Sequence, residues 1–77
     1  MCLAVPGRIV TIFEEENLGL RRGTVHFAGI GKEVRLDYLP EARVGDYVLV
    51  HVGFALMLVD KHEARRISEA LRQLDEL

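Results

Sequence analysis

The sequence predicts a mainly β fold, a small OB-like antiparallel β-barrel followed by a C-terminal α-helix. Two patterns and one limit carry that expectation. Between Gly7 and Val59, short runs rich in β-branched and aromatic residues recur at near-regular spacing, broken by Gly, Pro, Asn and Asp. After Asp60 the apolar period changes from two to about 3.6. A chain of 77 residues has room for one domain with one modest core, so strands and helix must share it. The expected organisation is an N-terminal arm (1–6), a barrel (7–59) and a helix (60–77).

The elements follow in order. "GRIVTIFE" (Gly7 to Glu14) reads as a strand that ends at an acidic run and a turn, "NLG". "GTVHFAG" (Gly23 to Gly29) is a second short strand, with Val25 and Phe27 on one face and Thr24 and His26 on the other. "KEVRLDYL" (Lys32 to Leu39) alternates, which places Val34, Leu36 and Tyr38 inward until Pro40 stops it. "YVLVHVG" puts Val48, Val50 and Val52 on one face and Tyr47, Leu49 and His51 on the other. Gly53, between that run and "FALMLV" (Phe54 to Val59), reads as a bulge or sharp bend. Ala64, Ile67, Leu71 and Leu74 then form the apolar stripe of an amphipathic helix. Asp60 is placed to cap it, with Glu63 reaching back in a capping box.

Composition narrows the function. Hydrophobic residues make up 49% and charged residues 29%, and no apolar run approaches the ~18 residues of a membrane span. Pro6, Gly7 and Arg8 interrupt the first apolar stretch, so the start does not read as a secretory signal and the expected location is cytoplasmic. A net charge of -2 lacks the basic excess of nucleic-acid binders. One cysteine builds neither an internal disulfide nor a CxxC zinc site, so a bond made by Cys2 has its partner outside this chain. No grouping of nucleophile, base and orienting residue is visible, and a non-enzymatic role is expected.

Cys2 is the first candidate because a terminal position is a poor place for core packing. An exposed thiolate there suits iron or copper(I), or acts as a nucleophile toward a partner's sulfur. Pro6 pre-sets the chain before the first strand, so "CLAV" can project as an extended arm of about 13 Å. His51 breaks the apolar run "VLVHVGF" and reads as a ligand, a hydrogen-bonded core histidine or an exposed side chain. Arg21, Arg22, Lys32 and Arg35 offer a basic face, which keeps an OB-like single-stranded nucleic-acid-binding module as the alternative function.

"MCLAVPGRI" and "GDYVLVHVGFAL" resemble the two signature segments of the HypC/HybG/HupF family, small chaperones of nickel-iron hydrogenase maturation. The resemblance runs along nearly the whole chain and implies an OB-like barrel with a C-terminal helix. His26 and Ala28 stand where the family more often has an acidic residue and glycine. The resemblance also implies a task. Such proteins bind the HypD scaffold, where iron acquires cyanide and carbon monoxide ligands, and then the hydrogenase large-subunit precursor, with HypE joining through a ternary complex. It makes Cys2 the iron-contacting or partner-contacting residue, with Pro6 and His51 in the partner-binding segments. Iron is then transient cargo, and neither nucleic acid nor membrane is an expected partner.

Overall fold

The computed structural model describes residues 4–15 and 19–75, with side chains described as far as residue 73 in the helix. Five strands, β1 (Val5–Glu15), β2 (Leu20–Phe27), β3 (Ile30–Arg35), β4 (Tyr47–His51) and β5 (Phe54–Val59), precede one helix, α1 (Lys61–Asp75). The strands close into a barrel in the order β1-β2-β3-β5-β4. Every pairing is antiparallel except β3 with β5, which meet in parallel at Arg35↔Phe54. The expected mainly β barrel with a terminal helix is what forms.

The core follows the alternation. Ile9, Val25, Leu36 and Val48 are fully buried, joined by Val34, Leu39, Ala42, Val50 and Ala55. Gly7 lies inside this set because a Cβ there would collide with Val25 and Phe27. A larger residue would push β1 off the barrel. Two bulges bend the sheet into closure, one near Val10 in β1 and one near Leu56 in β5, where the registers with β2 and β4 shift.

Several expectations need correction. The strand beginning near Lys32 ends at Arg35, not Leu39, because Leu36 donates its N–H to the Arg21 carbonyl (2.8 Å) and accepts from Leu39 (3.0 Å), which turns the chain. Tyr38 consequently points outward and is 63% exposed, although the alternation put it inside. Val52 leaves the valine face and is 70% exposed, because it occupies a hairpin turn with φ 51°. Gly53 is the second residue of that turn, φ 79°, and not a bulge. β1 begins at Val5, so Val5 and Pro6 pair with Val50 and Leu49 of β4 and belong to the barrel rather than to the arm. Pro6 is tolerated because over Val5–Gly7 this strand pairs on one side only.

The helix is capped at Asp60, whose Oδ1 accepts from the Glu63 N–H (2.8 Å). The reciprocal half of the capping box does not form. Glu63 instead pairs with Arg66 at 3.0 Å, one turn along. Ala64 is buried while Ile67 and Leu71 are half-buried, so α1 rests on β1 and β4 through a narrow seam. The Leu74 side chain lies outside the described residues.

Candidate functional site at the barrel rim

Two hairpins and the start of β1 meet at one end of the barrel. Each hairpin has a two-residue loop, Ala28-Gly29 between the paired Phe27 and Ile30, and Val52-Gly53 between the paired His51 and Phe54. All four loop residues have positive φ, as type I′ turns require, with φ 50° at Ala28 and 86° at Gly29. Gly adopts this backbone freely. Ala28 and the β-branched Val52 do so under strain.

The loops frame an opening of ≈ 400 Å³ whose rim carries Val5, Phe27, Ile30, Val50 and Val52, with Lys32 among them. Ile30 is 61% exposed, and Val5 and Val52 are also open to solvent. Exposed branched side chains, backed by the half-buried Phe27, around a concavity are the surface composition of a protein contact.

β1 begins at this rim. Cys2 lies outside the described residues, three positions before Val5, and chain length alone tethers it within about 11 Å of that residue. His51 lies on the outward face of β4 with Tyr47 and Leu49, opposite Val48 and Val50, and is half-buried. The Val5↔Val50 register, extended one residue, places Ala4 beside His51. Ala4 and His51 are therefore neighbours, a relation that the 46 positions between them hide in the sequence. On its other side His51 pairs with Phe54, whose ring packs against Tyr38 (centroids 5.7 Å apart) and under the Arg35 guanidinium (5.9 Å). Arg35 is held there by Asp37 at 2.6 Å. Pro6 is buried where β1 meets the helix side of the barrel, so it fixes the exit of the arm.

Sequence reasoning missed the rim itself. Its signal was present in "FAGI" and "HVGF", two pairs of flanking residues around a residue-glycine dipeptide, but neither pair has the Asn-Gly or Asp-Gly that marks such turns. Among the described residues no three His, Cys, Asp or Glu side chains come together to hold a metal ion. Among the described residues no helix is long and apolar enough to cross a membrane.

Comparison with known proteins supplies the family. The hydrogenase maturation factor HypC of Synechocystis sp. is 49% identical over 65 residues, covering 84% of this chain and 86% of the relative. HypC of Azotobacter chroococcum mcd 1 is 39% identical over 77 residues, covering 100% and 86%. The hydrogenase maturation factor HybG of Escherichia coli K12 is 35% identical over 79 aligned positions, covering 97% and 93%. A family model matches residues 1–71, from the arm through the barrel and into the helix, and the chain belongs to the HupF/HypC family.

Proposed function

We propose that this protein is a non-enzymatic chaperone of nickel-iron hydrogenase maturation, carrying its function on the Cys2 arm. It docks on the HypD scaffold while iron there acquires cyanide and carbon monoxide ligands, then on the large-subunit precursor. HypE enters through the complex with HypD. The observation that carries this reading is a family match that begins at residue 1 and spans the arm, combined with an apolar rim at the arm's base.

The chemistry follows from the donor. A thiolate is a soft ligand matched to low-spin iron, and a thiolate on a short tether can share that iron with a second protein and then release it. Iron is the cargo. The rim supplies apolar contact that holds a partner while the arm reaches, and His51 stands beside the arm's base as a second donor or a docking contact.

Cys2→Ser tests the proposal. Serine keeps the size but offers a hard, protonated oxygen, so hydrogenase maturation in cells lacking the parent chain should be lost, as should iron in the purified complex with HypD. Full maturation by Cys2→Ser would refute the reading. Salt-dependent binding of single-stranded nucleic acid that is indifferent to Cys2 would then support the OB-like alternative.

A further inference from the structure

A second concavity, distinct from the rim opening although Ala28 of the rim turn also lines it, lies in the seam between α1 and the outer face of the barrel. It measures ≈ 340 Å³ and is lined by Arg8, His26, Tyr47, Lys61, Arg65 and Ser68 over a floor that includes Pro6 and Ala64. Its geometry is set by two registers. Arg8 stands opposite His26 of β2 and opposite Tyr47 of β4, so these three form one row across the barrel. Lys61, Ala64, Arg65 and Ser68 recur at helical spacing on the face of α1 turned toward that row.

The charge in this cleft is one-sided. Three permanent cations line it, with two hydroxyls and no carboxylate, in a chain whose net charge is -2. Elsewhere Arg21, Arg22, Arg35 and Arg66 each pair with a carboxylate, whereas no ion pair among the described residues involves Arg8, Lys61 or Arg65, which converge on this one cleft, or Lys32, Arg43 and Arg72, which do not line it. Folding does not ask for this arrangement. Like charges four apart on a helix repel, and a lysine in the first turn opposes the helix dipole. Residues that break local rules without a structural return mark sites where something outside the fold compensates.

We infer that this cleft binds the carboxylates of an acidic segment of a partner protein. Cations contributed from both walls match two or more separated negative charges better than a single one. Its rings, Tyr47 and the His26 imidazole, stand on opposite sides of Arg8 in the row, so they offer no run of successive stacking platforms for a nucleic-acid strand. Pro6 belongs to the cleft and also begins the path to Cys2, so a segment bound there lies alongside the protein that the arm addresses. In naming that protein as the one that also meets Cys2, the inference rests on the proposed function. The cleft's preference for carboxylates does not.

The test titrates the full chain with a hexaglutamate peptide, followed by amide chemical shifts. Shifts should centre on Arg8, Lys61, Arg65 and Ser68 and weaken as salt is raised. Arg8→Ala combined with Arg65→Ala should weaken peptide binding by about tenfold, the loss of two part-exposed charge contacts. Arg66→Ala, on the outer face of the same helix, should change it less than about twofold. Equal weakening by Arg66→Ala, shifts centred elsewhere, or tighter binding of inorganic phosphate or of an oligothymidine strand would overturn the inference. In a pulldown, the double variant should retain less of the scaffold than Cys2→Ser does, with an unchanged melt. Full retention by the double variant would remove the partner assignment. A wild-type chain that fails to retain the scaffold would instead sink the functional proposal, and the peptide titration would still judge the cleft.

Discussion

Arg21 is the residue on which the connection between β3 and β4 depends. This eleven-residue path, 36–46, has no strand or helix of its own, yet it buries Leu36, Leu39 and Ala42. Its carbonyls must find donors. The Arg21 guanidinium donates to the Leu39 carbonyl and to the Ala42 carbonyl, both at 2.6 Å, while Asp37 accepts from the Arg21 backbone N–H at 2.8 Å. The side chain is 16% exposed, so these bonds are sheltered, whereas its pair with Glu14 opens to water and contributes little. Two charge-assisted bonds at about 1.5 kcal/mol or more each, less the relaxation of a surface connection, give about 2–4 kcal/mol lost in Arg21→Ala. A domain of this size has about 4–11 kcal/mol in total. The melting temperature should therefore fall by about 8–30 °C in a circular dichroism melt. Arg21→Lys should recover less than half, since an ammonium lacks the planar fork. A loss below about 0.5 kcal/mol, typical of surface changes, would refute the role given to the guanidinium.

Other perturbations separate fold from function. Leu71→Ala should cost about 1–2 kcal/mol in a urea melt, below the 2–5 of a fully buried leucine, because Leu71 is half-buried on a narrow seam; a larger loss would mean that α1 seals the core. Val52→Asn removes a β-branched side chain from a positive-φ position and should raise stability by about 1 kcal/mol, yet weaken scaffold docking if the rim is the contact surface. A rise in both would separate the turn from function. His51→Ala should leave the melt within about 1 kcal/mol of the parent while lowering iron in the scaffold complex, and a folding defect without a binding defect would make His51 structural.

What was legible in the sequence was periodicity. The change of period at Asp60 located the start of the helix to within a residue, and the valine and isoleucine runs located the barrel. Periodicity also misled where backbone geometry intervened. Val52 continues the spacing of Val48 and Val50 without a break, and only its positive φ, required by a two-residue loop, takes it out of the core face. Tyr38 likewise keeps the alternation of Val34 and Leu36, but the bond from Leu36 to the Arg21 carbonyl has already turned the chain. Arg21 read as part of a basic face because its acceptors lie 18 and 21 positions away. The spacing of Lys61 and Arg65 was visible, but Arg8 joins them through the packing of α1 on β1. Cys2 stood out from its position alone, and the placement of His51 beside the arm needed the β1–β4 register.

The Arg21 network and the rim of the proposed docking surface occupy opposite ends of the same hairpin. Arg21 pairs with Glu14 near the far end of β1, nine residues from Val5 and thus up to about 30 Å along the strand. The rim end carries instead the features that cost stability, two type I′ turns on non-glycine residues and exposed apolar side chains. Sites so far apart, without shared partners, should act additively. Arg21→Lys combined with Cys2→Ser should therefore show the melting loss of the first and the maturation loss of the second, with no coupling between them. That outcome is expected if the Cys2 thiol serves partner binding and not the barrel core. Under the proposed function, the position of Cys2 before Pro6 serves reach, with the barrel as the mount and the rim as the surface that holds a partner close enough for the thiol to act.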